Sequence, residues 1–308
     1  MSAAPEDDEI EASRAPLLEH LVELRSRLIK CVIALVIAFI VCFIFSTQIY
    51  TLLLHPFSVA AGLLAVRAQE AKPAGHGLDL MGPVIEAKNM FLVLAGMKDL
   101  PPVPGQVTKL VFTAPLEFFF TKVKLAALGA VALSFPVLGQ QIYAFVAPGL
   151  YKKERRAFLP FLIASPVLFM AGAAMVYFSI LPFVLWFSLS QQIVGASGIS
   201  VELLPKVSDY FDLVTTLLLA FGLCFQLPVV VTLLGMAGLV SSKMLMAGWR
   251  YAVVGVVAVA AVVTPPDPFS QTLLSVPIIG LYFVSIGCVK LIELRRKKED
   301  AAAEATVA

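Results

Sequence analysis

Leu28–Phe45 reads LIKCVIALVIAFIVCFIF, an unbroken apolar run with one charge, Lys30. A helix needs about 20 mostly apolar residues to cross the hydrocarbon core of a bilayer. In lipid only helices and closed barrels pair every backbone group, and this run lacks the alternating pattern of a barrel strand. It predicts a membrane-spanning helix. Five more runs follow, at about 124–146, 158–189, 211–238, 251–263 and 271–289. The whole chain agrees with that reading. Its 308 residues are 59% hydrophobic and 14% charged, with a mean hydropathy of +0.91, whereas soluble domains average about 45–50% apolar and about 25% charged. That composition excludes a disordered chain, a coiled coil, a collagen-like repeat and an ordinary soluble enzyme. The expected fold is an all-α polytopic membrane protein of six helices.

Lysine and arginine counts set the expected orientation. Fifteen of the 23 lie on one side: Arg14, Arg25, Arg27 and Lys30; Lys152, Lys153, Arg155 and Arg156; Lys243 and Arg250; and Lys290, Arg295, Arg296, Lys297 and Lys298. That side is read as cytoplasmic, with both termini there. Residues 1–16 read as a disordered acidic tail, 17–289 as the membrane domain and 290–308 as a second cytoplasmic tail. The acidic start lacks the positive region of a secretory signal peptide. The stretch of about 46–120 reads as one long outer loop, carrying a short apolar patch at Asn89–Gly96 that suits a small helical element. Within the spans, Pro136, Pro166, Pro182, Pro228 and Pro277 each remove a backbone hydrogen bond, which predicts kinked helices and a cupped bundle. The fifth run is short for a bilayer.

Several chemistries are missing from the sequence. It has no GxxxxGK[ST] loop for nucleotide, no HExxH and no GxSxG. Cys31, Cys42, Cys224 and Cys288 sit in apolar runs without metal-ligand spacing, and His20, His55 and His76 are scattered. The chain is therefore read as a non-enzyme without cofactor or metal. A net charge of +2 gives no reason to expect nucleic acid.

Several polar positions carry information. Leu17, Leu21, Leu24 and Leu28 recur at helical spacing, giving an amphipathic stretch along the membrane interface. On it Glu23 and Arg27 are four apart, which suits an internal ion pair. Glu154 is a lone acid among four bases. Gln226 falls in the middle of the fourth run, two residues before Pro228, where it can repair the helix or dock another membrane helix. Asp212 reads as solvated near the outer end of that run, and Asp267 as a cap of the last helix in the turn Thr264-Pro265-Pro266-Asp267.

His20-Leu21-Val22-Glu23-Leu24-Arg25-Ser26-Arg27-Leu28, the segment Phe145–Arg156, Phe221-Gly222 with Phe225-Gln226-Leu227-Pro228, and Thr264-Pro265-Pro266-Asp267 through Gln271 together resemble the TatC family. This is the multispanning receptor subunit of the twin-arginine protein translocase. The resemblance runs from about Leu17 to Val289. It implies six helices with both ends cytoplasmic and recognition of folded cargo through a signal peptide bearing two arginines. It places the signal-peptide carboxylates on Glu23 and Glu154, an aromatic neighbour on Phe145, and supporting roles on Arg25 and Arg156. Pro56, Tyr177 and Asp267 match further family positions. Gln226, Thr264 and Gln271 match a polar group that docks single-span TatA and TatB partners. Many relatives have Glu where Gln226 stands, and the stretch from Arg67 to Lys109 looks inserted. The implied partners are signal peptides, TatA- and TatB-type proteins, further copies of the chain and the lipid bilayer, in a bacterial inner membrane energised by the proton-motive force. A secondary transporter for a small solute is the competing reading, with Gln226 as its mid-membrane candidate.

Overall fold

The structure is a computed structural model that describes residues 5–70, 88–89, 91–98, 110–146, 159–190, 205–263 and 268–307, with backbone alone at 5–21, 64–70, 143–146, 159–162, 190, 268–270 and 298–307. The described residues are almost wholly helical. In chain order the helices are α1 (Pro5–Ile44), α2 (Ser46–Glu70), α3 (Glu117–Val146), α4 (Leu159–Met175), a π-helical turn (Val176–Ile180), α5 (Leu181–Ser190), α6 (Val207–Cys224), α7 (Leu227–Met236), α8 (Ser242–Ala247), α9 (Trp249–Val263) and α10 (Pro268–Val307). Among the described residues the extended pairing is confined to one parallel bridge, Val111 with Lys206.

Five segments are long and apolar enough to cross a membrane: Val22–Ile44, Glu117–Ile142, Ile163–Leu189, Val207–Met236 and Gln271–Lys297, with α9 a shorter sixth. We call the end of the bundle that carries Glu23 of α1 the terminal end, and the opposite end, where α3 and α6 begin, the loop end.

The core explains the arrangement. On α6, Val207, Tyr210, Phe211, Val214, Leu217, Leu218 and Phe221 are buried, a spacing that puts them on one helical face. They pack with Leu125 of α3, with Leu53, Phe57, Val59 and Ala60 of α2, with Ile180 and Leu181, and with Leu274 and Ile278 of α10. Close crossings are made possible by glycine. A Cβ at Gly222 would collide with the ring of Phe169, and one at Gly172 would meet the Phe221 carbonyl oxygen at 2.9 Å.

Several sequence expectations need correction. The stretch from 46 to 120 is not one loop: its first 25 residues form α2. Leu53, Phe57, Val59 and Ala60 bury one side of that helix in the core, and Pro56 inside it masked the pattern. The tail expected to be disordered over 1–16 is helical from Pro5. Proline is tolerated in a first helical turn, and the Glu- and Ala-rich sequence after it favours helix. The fourth run is two helices, broken at Phe225–Gln226, with Pro228 in the first turn of α7. The third is interrupted by the π-helical turn just before Pro182. Pro56, Pro136, Pro166 and Pro277 lie inside continuous helices.

Candidate functional site

At the terminal end, Glu23 lies in α1 and Arg27 one turn on. The Arg27 Nε donates to Glu23 Oε1 at 3.1 Å, and Nη2 bonds the same oxygen. The Glu23 side chain is 37% exposed and that of Arg27 21%, so this partly solvated pair contributes only a few tenths of a kcal/mol. Arg25 is exposed on the same helix. Phe145 sits in the last turn of α3, but its side chain lies outside the described residues, as do Glu154, Arg156, Thr264 and Asp267 altogether. The expected grouping of Glu23 with Glu154 and Phe145 therefore lies partly outside what the structure describes.

In mid-bundle, Gln226 is bound to Ser165 of α4. Its Oε1 accepts from the Ser165 hydroxyl at 2.8 Å, and its Nε2 donates to the Ser165 backbone oxygen at 2.9 Å. The helix break at 225–226 releases this side chain sideways, where it ties the third span to the fourth rather than bonding the carbonyl that Pro228 frees. With its amide engaged on both sides, Gln226 lacks the open polar site that a solute carrier would need. Gln271 donates to the Val257 carbonyl of α9 at 3.3 Å, joining the last two helices. The two glutamines, expected to form one docking group, thus each bind a different neighbour.

At the loop end, the two aromatic hydroxyls of Tyr177 and Tyr210 reach α2. Pro56 has no N–H to give the carbonyl four residues earlier, that of Leu52. Tyr177, in the π-helical turn, donates to that oxygen at 3.0 Å. Tyr210 of α6 donates to the next carbonyl, Leu53, at 2.5 Å. Pro56 and Tyr177, singled out separately in the sequence, are thus two halves of one contact. Beside it, Gln48, Thr51, Leu52, His55, Leu94, Tyr177 and Phe178 line an open groove of about 590 Å³.

Sequence reasoning missed the polar lacing of this end. Lys124 of α3 pairs with Asp212 of α6 at 2.7 Å; Asp212 is half-exposed, solvated as expected and also paired across the two helices. Lys122 donates to Thr47 at 3.1 Å and covers the Phe118 ring. Glu117 accepts backbone N–H bonds from Thr113, Ala114 and Ser208. No capping-box spacing announced these bonds: that pattern puts the acid three residues after a Ser or Thr, and Thr113 stands four before Glu117. Among the described residues no group of His, Cys, Asp and Glu could hold a metal.

A family model of the Sec-independent protein translocase protein (TatC) matches residues 19–277. A TatC protein of Magnetococcus marinus is 36% identical over 292 residues, covering 95% of this chain and 90% of that protein. That of Escherichia coli is 31% identical over 271 residues, covering 88% and 86%. A crystal structure of the twin-arginine translocase receptor TatC superposes with a TM-score of 0.63 at 28% identity, covering 88% of this chain and 98% of the other. With the motif order, the apolar helices and these similarities in agreement, the chain belongs to the TatC family of Sec-independent protein translocase proteins.

Proposed function

We propose that this chain binds twin-arginine signal peptides through Glu23 and Glu154 and forms the core on which the translocase assembles in a bacterial inner membrane. Both termini then face the cytoplasm, a reading that the lysine and arginine distribution supports. The observation that carries the reading is the Glu23–Arg27 pair. A carboxylate bonded to its own helix at a partly solvated position can exchange that guanidinium for a peptide's at little cost. Two consecutive arginines would find a second acid in Glu154, with Arg25, Arg156 and Phe145 around it. Charge-assisted bonds to guanidinium are planar and two-pronged, which distinguishes arginine from lysine.

TatA- and TatB-type single-span proteins dock through Gln226, Thr264 and Gln271, the positions that the family resemblance marks, and further copies of the chain complete the assembly. The sequence has no nucleotide motif, so the proton-motive force drives transport. The chain acts without a catalytic residue or cofactor.

The test is charge reversal. Glu23→Lys with Glu154→Lys should weaken signal-peptide binding by about tenfold to a hundredfold, the value of lost hydrogen bonds to a charged group. Export of a folded twin-arginine reporter should stop while the protein stays membrane-inserted. Normal export by the double variant would overturn the site assignment.

A further inference from the structure

Glu117 stands at the first residue of α3, and its two oxygens face the loop that leads into α3 and the first turn of α6. Oε2 accepts from the Thr113 N–H at 2.7 Å, the Ala114 N–H at 3.2 Å and the Thr113 hydroxyl at 3.3 Å. Oε1 accepts from the Ser208 N–H at 3.1 Å, across a separation of 91 residues. The second bond supplies something α6 lacks. The residue at its N-cap is Lys206, whose side chain caps nothing. A helix start leaves N–H groups without intrahelical partners, and lysine cannot accept from them. The acceptor is borrowed from α3. Beside it the same two segments are zipped by backbone: Val111 N–H donates to the Pro205 oxygen at 3.1 Å, and Val207 N–H to the Val111 oxygen at 3.0 Å.

We propose that Glu117 is a positioning residue that latches these two segments together and so fixes where the second and fourth spans begin. The role in export rests on the translocase reading above. The latch acts through the first two turns of α6. Tyr210, two residues past Ser208, bonds Leu53 of α2, and Asp212 pairs with Lys124. A carboxylate suits the position because both oxygens accept. An amide there would turn an NH2 towards one of the two sets of N–H donors, so Glu117→Gln keeps one half of the latch and loses the other.

The experiment uses the full chain with its four native cysteines replaced by alanine. In Glu117→Ala, a Val111→Cys thiol should react several times faster with a membrane-impermeant maleimide than it does with Glu117 present. This readout needs no export, so it separates the latch from the translocase reading. Export of a twin-arginine reporter should fall at least fivefold, while photocrosslinking of the signal peptide to Glu23 changes less than twofold. Joining Val111→Cys to Lys206→Cys with a short bis-thiol crosslinker in the Glu117→Ala chain should restore at least half of the export. Unchanged labelling, normal export, a lost signal-peptide crosslink, or export that stays lost with the crosslink closed would each overturn the proposal. Only the last separates a latch from a role for the charge itself.

Discussion

A single missing N–H organises the contact between α2 and its neighbours. Pro56 leaves the Leu52 carbonyl without its helical donor, and the Tyr177 hydroxyl takes the vacant place. The sequence marked both residues only through family resemblance. Their connection was not legible, because the two are 121 positions apart and nothing in either segment names the other. The contact makes a thermodynamic prediction. Tyr177→Phe should cost about 1 kcal/mol, the usual worth of a hydrogen bond. In a chain that already carries Pro56→Ala, the restored amide serves Leu52 internally, and Tyr177→Phe should cost less than half as much. Thermal denaturation of the four proteins in detergent, read as a double-mutant cycle, checks this. Additive losses would separate the two residues.

Most of the long helices were legible as apolar runs, but α2 and the interruptions were not. Periodicity located the fourth run near its true limits. It did not show that Phe225 and Gln226 fall between two helices, because a proline kink and a proline at a fresh helix start read alike in sequence. Gln226 was read as a repair or a docking point, and its partner Ser165 was invisible: a serine within an apolar run carries no signal of what it faces. The π-helical turn, commonest where function bends a helix, left no pattern either. For α2 the apolar core face was present in the sequence, yet mixed with His55, Pro56 and Ser58 it resembled a loop. Glycines carry the tight crossing of α4 and α6. Gly222→Ala should destabilise the protein by about 1–3 kcal/mol, since the added methyl meets Phe169. At Gly255 nothing lies within 4 Å of the new atom, so Gly255→Ala should be neutral or slightly stabilising through helix propensity. Melting temperatures of the two variants, measured side by side, test the packing directly.

As a whole, the molecule is unevenly matched to a bilayer. The fifteen residues of α9 rise about 22 Å at 1.5 Å each, against a hydrocarbon core of about 30 Å. Four of the other crossings use 26 residues or more. Lipid beside α9 must thin, or the short helix must be carried by its neighbour α10, to which Gln271 ties it. Reconstitution in phosphatidylcholines of increasing chain length should give the highest thermal stability in the shorter lipids and a steady decline beyond them. A stability optimum in the longest lipids would contradict the mismatch. The sequence disclosed this much, since the fifth run is short by count alone. It did not disclose the polar lacing of the loop end, whose partners come from segments 75, 88 and 91 residues apart.

Helix α1 has a different relation to its surroundings. Its most apolar stretch is 11% buried, and Val32, Ile33, Val36, Ile37 and Ile40 all face outward. Polypeptide walls it on one flank, mainly through α3, so hydrocarbon supplies most of its solvation. A segment wetted by oil in this way gains nothing by leaving the fatty-acyl phase and little by choosing among similar greasy neighbours. It can therefore trade lipid for an incoming apolar rod at almost no energetic penalty.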